Sequence, residues 1–208
     1  MMRKLVLVSA APTAAQRRGA FAVDEGIDRD SLDPARRPTL LERILPGDEC
    51  RRGPERRCAE TAAALGIEST PQSSLRAWDL GSWAGRAITE IGRAEPASLG
   101  AWRQDPDAAP HGGETLTDLL HRVGAWLDDA SAPARVVAVA DASVVRASVI
   151  HALGADWRAF WHLDLPALSR SELTHGSGAW RVRCVGVPMA SGSGAGELGD
   201  SPGIEAPE

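Results

Sequence analysis

The sequence predicts an α/β fold built on a mainly parallel sheet. Leu5–Val8 is a short apolar run, and Val136–Ala140 repeats it. Runs of this kind make strands buried on both faces. Each breaks off into small residues, Ser9-Ala10-Ala11-Pro12-Thr13 in one case and Ala140-Asp141-Ala142-Ser143 in the other. The second leads directly into a helical stretch, Val144–Leu153, the strand–turn–helix sign of a parallel sheet. A hydrophobic content of 43% is enough for a packed core. In open α/β sheets ligands sit just past the carboxyl ends of the strands. The two small-residue turns are therefore the expected floor of a pocket.

The other elements follow in order. Ala14–Arg37 is polar and marked by Gly and Pro, and reads as a long excursion over the pocket mouth with one helical turn. Thr39–Leu45 reads as a short helix and Asp48–Arg52 as a strand. Pro54 opens a helix that Gly66 closes, the usual placing of Pro inside the start and Gly past the end. Ile67–Pro71 reads as a strand, and Leu75–Gly85 as a loop anchored by Trp78 and Trp83. Ile88–Glu95 and Ala97–Arg103 are short helices divided by Pro96, followed by a Pro/Gly/Asp-rich loop, Gln104–Gly113. Over Glu114–Asp129 the apolar residues Leu116, Leu119, Leu120, Val123 and Leu127 fall at helical spacing. Arg158–Leu165 is an aromatic-rich connection. Ser169–Thr174 and Ala179–Val185 read as an antiparallel pair. Residues 1–187 are expected to form one domain, and the Gly/Ser/Pro/acid-rich stretch 188–208 a disordered tail.

Composition removes several function classes. A net charge of −5 gives no global field to attract nucleic acid. Three cysteines, Cys50, Cys58 and Cys184, make an odd set without a C-x-x-C pair, which argues against a disulfide framework and a zinc site. The apolar run after Met1-Met2-Arg3-Lys4 is too short for a signal segment or a membrane span. A cytoplasmic protein is expected, with no cofactor, no metal, and no nucleic-acid or membrane partner. The oligomeric state is not readable from the sequence.

Five blocks then stand in a telling order: L-V-L-V-S-A-A-P-T, G-P-E-R-R-C-A-E-T-A, L-R-A-W-D-L-G-S-W-A-G, P-H-G-G-E-T and V-V-A-V-A-D-A-S-V-V-R-A. Together they resemble the successive motifs of the histidine phosphatase (phosphoglycerate mutase-like) superfamily, over roughly residues 3–185. The resemblance implies a three-layer α/β/α sandwich. It also implies a chemistry in which a histidine after the first strand attacks phosphorus. An arginine beside it, a second arginine on the next helix and a second histidine after a later strand hold the phosphoryl oxygens, and a carboxylic acid protonates the leaving oxygen.

Against that pattern, the R-H-G motif reads Ser9-Ala10-Ala11. Thr13 and the helix arginine, Arg57, are kept. The acid position after L-R is Ala77, the second histidine is Asp141, and the G-G-E glutamate is Glu114. All five histidines lie at or beyond residue 111, so none near the first strand replaces the missing nucleophile. A carboxylate about 4 Å from a phosphoryl charge repels it by roughly 4 kcal/mol per unit charge at an effective dielectric near 20. The expectation is therefore an Asp141–Arg57 ion pair in the space where a phosphoryl group would sit.

Asp141 and Glu114 are the candidate acid/base residues. Each also has a bland reading: Asp141 as a fixed partner of Arg57, Glu114 as an acid favoured by a helix dipole. Ser9, Ala10, Thr13, Arg57, Trp78 and His111 are the candidate ligand-binding residues, with Trp78 equally a hydrophobic anchor and His111 equally a solvated loop histidine. Arg17 and Arg18 could close over an anion. Cys58, beside Arg57 and one turn into its helix, reads as core rather than as a nucleophile. The sequence thus points to a pseudophosphatase that binds a small metabolite or partner. The alternatives are a repurposed acid–base enzyme using Asp141 and Glu114, and a residual phosphatase.

Overall fold

The computed structural model describes residues 2–28, 30, 48–129 and 131–189. A six-stranded sheet has the order β3-β2-β4-β1-β5-β6. Its strands are β1 (Arg3–Ser9), β2 (Glu49–Arg52), β3 (Thr70–Pro71), β4 (Arg135–Ala140), β5 (Ser169–Gly176) and β6 (Ala179–Pro188). β1, β2, β3 and β4 pair in parallel, while β5 runs antiparallel to β1 and β6 antiparallel to β5. The expected α/β fold with a mainly parallel sheet is what is found.

The period-two alternation of β1 and β4 divides the core into two faces. Leu5, Leu7, Val136, Ala138 and Ala140 pack on one side against helices α5 (Leu116–Asp128) and α6 (Ala142–Leu153). Val8, Ala10 and Val139 face the other way onto Cys58, Ala62 and Leu65, brought by α2 (Arg56–Ala64) and its end. Both faces are covered, which gives the three layers. On α5, Leu119, Val123 and Leu127 are buried at the spacing read from the sequence. Each such side chain contributes about 1.5–3 kcal/mol.

A third cluster, apart from the sheet, gathers Trp83, Ile91 and Trp102, with Phe21 and Trp78 against them. It joins the excursion after β1, which holds α1 (Ala14–Arg17), to α3 (Ile88–Ala94) and α4 (Pro96–Gln104). Backbone bonds between Phe21 and both Gly85 and Arg86 stitch the two stretches together.

Several boundaries differ from the sequence reading for local reasons. The Pro54 helix begins at Arg56, because Glu55 stays extended as its N-cap while its carboxylate accepts from the Ala77 amide. The strand expected at Ile67–Pro71 shrinks to Thr70–Pro71: Ile67 is buried in the second core face, and only Thr70 and Pro71 reach β2. The helix expected from Glu114 begins at Leu116, capped by Thr115, whose hydroxyl accepts from the Asp118 amide at 2.9 Å. The loops around Trp83 and Trp161 contain short 3-10 turns, Gly81–Trp83 and Trp157–His162. The helix expected at Thr39–Leu45 lies outside the described residues. So does the tail from residue 190; Pro188 ends β6 and Met189 packs against the core. Among the described residues no helix is long and apolar enough to cross a membrane.

Candidate functional site

β1 and β4 run side by side, Ser9 paired with Ala140, so their carboxyl ends open at the same edge of the sheet. Past them lies a cleft of about 240 Å³ with a floor of Ala10, Ala11, Leu165 and Ala167. Arg57 and Asp141 form its polar wall, and Pro12, Gln16, Arg17 and Ala142 complete the lining.

Local chemistry fixes each wall residue. Asp141 is the N-cap of α6: its Oδ1 accepts from the Ser143 amide at 2.9 Å and from the Ser143 hydroxyl at 2.6 Å. Its Oδ2 accepts from Arg57 Nη2 at 3.1 Å. Arg57 lies in the first turn of α2, only 4% exposed, and its Nη1 donates to the Val23 carbonyl at 3.3 Å. Burial pushes the Asp141 carboxyl up, but the Arg57 charge and the Ser143 bonds outweigh it and hold the group below its ordinary range. Burial pulls the Arg57 guanidinium down, and the Asp141 charge and hydrogen bond, together with the neighbouring Cys58 and Glu55, more than restore it. Both groups are therefore charged, and the ion pair expected from the sequence is present.

On the β1 side of the floor the backbone donors are spent. The Ala10 amide bonds to the Ala140 carbonyl, the Ala11 amide donates to Thr61 Oγ1 at 3.0 Å, and Pro12 has no N–H to offer. The α6 N-terminus, where an anion would be favoured, already holds one in the Asp141 carboxylate.

Several candidate residues stand elsewhere. Ser9 is buried, with Oγ 3.4 Å from that of Ser169 in the neighbouring strand. Thr13 is buried as the N-cap of α1, in a capping box with Gln16. Trp78 points into the aromatic cluster, its indole N–H donating to the Glu114 carbonyl at 2.7 Å. It still touches the wall indirectly, since its amide donates to the Ser143 hydroxyl that bonds Asp141. His111 is buried rather than solvated, its ring packed against Trp83 and its Nδ1 accepting from the Gly113 amide at 3.0 Å. Burial lowers its pKa.

Glu114 immediately precedes Thr115, the cap of α5. Its carboxylate is clamped by Arg76 at 2.7 Å and by both Nε and Nη2 of Arg122, at 2.8 and 2.7 Å. Of the eight candidates only Ala10, Arg57 and Asp141 line the cleft. Burial and the Glu55 carboxylate push the Cys58 thiol far up, in keeping with a core cysteine.

Sequence reasoning missed Ser143, Thr61 and Arg122. Ser143 alone had a readable signal: Asp followed two residues later by Ser at a helix start is an N-cap pattern. Thr61 and Arg122 act across 50 and 8 residues of chain, and nothing local marks them.

In P-H-G-G-E-T, Gly112 takes a positive φ of 72° and Gly113 serves close packing of backbone on backbone. A Cβ on Gly113 would lie 2.3 Å from the Asp79 carbonyl oxygen, and one on Gly81 2.1 Å from that of His111. Gly113→Ala is expected to cost about 1–3 kcal/mol, read as a lowered urea midpoint. An unchanged midpoint would show that the two loops separate freely.

The profile of the histidine phosphatase superfamily (branch 1) matches residues 41–188, and the chain belongs to that family. The matched stretch begins beyond β1 and its small-residue turn. A glucosyl-3-phosphoglycerate phosphatase of Mycolicibacterium vanbaalenii is 42% identical over 71 residues, 32% of each chain. A bifunctional protein of Mycobacterium tuberculosis is 32% identical over 133 residues, 61% of this chain and 36% of its own. The chain thus spans about a third of the length of these curated relatives. Among solved structures, a mycobacterial glucosyl-3-phosphoglycerate phosphatase superposes with a TM-score of 0.77 at 22% identity, covering 90% of this chain and 100% of its own. The α-ribazole phosphatase of Shigella flexneri gives 0.76 at 17% identity, covering 92% and 99%. At these identities the structures bear on the fold alone.

Proposed function

We propose that this chain is a pseudophosphatase: a histidine phosphatase-like protein without phosphohistidine chemistry, whose former active-site cleft binds a small molecule. One observation carries the reading. The groups that would hold a phosphoryl anion, Arg57 and the N-terminus of α6, are already engaged by the Asp141 carboxylate. Ala10 and Ala11 add no nucleophile to the floor, and a dianionic ester would have to displace or override the internal anion.

The acid–base alternative has less support, because Asp141 and Glu114 are each ion-paired and do not share a cavity. Residual phosphatase activity is favoured by the names of the relatives and by the retained Arg57. The protein is read as cytoplasmic, with no membrane partner, from the shortness of its first apolar run, and its net charge of −5 speaks against a nucleic-acid partner.

Calorimetric titration with inorganic phosphate tests the reading. The wild-type chain is expected to show no saturable binding. The triple variant Ser9→Arg, Ala10→His, Asp141→His is expected to gain affinity at least about a hundredfold, roughly 2.7 kcal/mol. Because Ser9 is buried, the double variant Ala10→His, Asp141→His is measured beside it. Tight phosphate binding by the wild type, or turnover of p-nitrophenyl phosphate that disappears in Arg57→Lys, would revive the residual phosphatase.

A further inference from the structure

We propose a second ligand site, at the end of the sheet opposite the cleft, that takes a free α-amino acid with a large apolar side chain. Strand register builds it. Arg3 and Leu5 of β1, Val136 of β4 and Glu49 of β2 fall on one face of the sheet, and Trp180 joins them through His175, the residue paired with Arg3. Trp126 and Leu127, from the last turn of α5, complete the enclosure. The pocket holds about 260 Å³, just under the usual range for a drug-sized ligand. Leu5, Val136, Leu127 and Trp126 offer an apolar body its contacts.

Two opposite charges on its wall are unspent. Arg51 is paired with Glu49 and donates to Thr70 Oγ1 at 2.7 Å, and Lys4 is paired with Glu172 at 3.4 Å. Arg3, by contrast, has no ion pair and no hydrogen bond among the described residues. Its guanidinium lies over the Trp180 ring at 5.4 Å, which steadies it. Only its Nε is shut away, so the two Nη groups stay open at the pocket wall. Asp129 spends Oδ1 on the Ser131 amide and hydroxyl, at 2.9 and 2.7 Å, and leaves Oδ2 without a partner among the described residues. The Ser131 bonds, and after them the Arg3 charge, hold its carboxyl below the ordinary range, yet the two side chains form no ion pair with each other. A ligand carrying both counter-charges fits: its carboxylate in the fork of Arg3, its ammonium at Asp129. Asp129 is also the C-cap of α5, the helix end that favours a cation. A simple carboxylate or a simple amine engages one of the two groups only. The site lies beyond the reading proposed for the cleft, and its failure leaves that reading untouched.

The test is an NMR titration of the full chain, read at the Trp126 indole N–H, whose signal is assigned by its loss in Trp126→Phe. L-Phenylalanine is expected to bind saturably. Phenethylamine, which lacks the carboxylate, and hydrocinnamate, which lacks the ammonium, are each expected to bind at least about tenfold more weakly. Arg3→Gln is expected to erase the preference for phenylalanine over phenethylamine, and Asp129→Asn the preference over hydrocinnamate; the asparagine keeps the Oδ1 acceptor of Ser131. Ala132→Trp, on the pocket lining, is expected to abolish binding. The analogue series on the wild-type chain decides the matter even where a variant folds poorly. Equal affinity for phenylalanine and either analogue, a preference unchanged in either charge variant, or no saturable shift with phenylalanine overturns the proposal.

Discussion

Asp141→Ala is expected to lower the unfolding free energy by about 3–5 kcal/mol, read by urea titration at neutral pH. The substitution strands the Arg57 guanidinium in a buried position without a counter-charge. It also removes the acceptor for two donors of Ser143 and with it the cap of α6. Cap loss alone is worth about 0.5–2 kcal/mol, so the stranded charge is the larger part. Asp141→Asn separates the two, because an amide oxygen can still cap the helix while the charge is gone. It is expected to recover about 1 kcal/mol of the loss. A cost below about 1 kcal/mol for Asp141→Ala would mean that the pair contributes nothing beyond an exposed ion pair.

The same residue sets a pH dependence. Its folded carboxyl is held below the ordinary value, so the group's stabilisation is complete above an unfolded pKa of about 3.9. That stabilisation is lost as the pH falls below this value toward the folded one. Urea midpoints measured from about pH 6 to about pH 2 should therefore fall more steeply for the wild type than for Asp141→Ala. Parallel curves would count against an ionised Asp141.

Trp83→Ala is the second large effect, about 3–5 kcal/mol. The indole is fully buried, lies parallel to Phe21 at 6.0 Å between centroids, and meets Trp102 and His111 edge-on. Its N–H reaches Glu95 at 3.3 Å, which in turn holds Arg86 at 2.7 Å. The loss should also reach the cleft. Phe21 and Val23 belong to one short segment, and the Val23 carbonyl holds Arg57. Hydrogen exchange should therefore rise both around residues 20–23 and at the first turn of α2. Exchange confined to residues near Trp83 would show that the aromatic cluster and the cleft wall are independent.

The strands that frame the cleft were legible because a strand buried on both faces must be nearly continuous in apolar residues, as Leu5–Val8 and Val136–Ala140 are. The Asp141–Arg57 pair was legible because one carboxylate and one guanidinium stood at matched motif positions with no other partner in view. Trp78, His111 and Glu114 were placed at the cleft by their nearness in sequence to its motifs. That nearness misleads here: Trp78 and His111 turn into a cluster assembled from Phe21, Trp83, Trp102 and Trp161, drawn from four separated stretches. Glu114 is claimed by Arg122, one arginine among many whose choice of partner depends on how α5 lies against the loop at Ser74. Local pattern marks an element and its caps, whereas side-chain allegiance across elements is decided by packing.

The double duty of Asp141, as helix cap and as counter-ion, bears on how this chain could change by descent. Removing its carboxylate in one step loses stability before any phosphoryl-binding group is gained. A lineage leaving this state would have to alter the guanidinium or the turn after β1 first, or cross a poorly folded ancestor. On the pseudophosphatase reading proposed above, the cap acts as a ratchet: the side chain that would exclude a phosphoryl group is also one that the fold leans on.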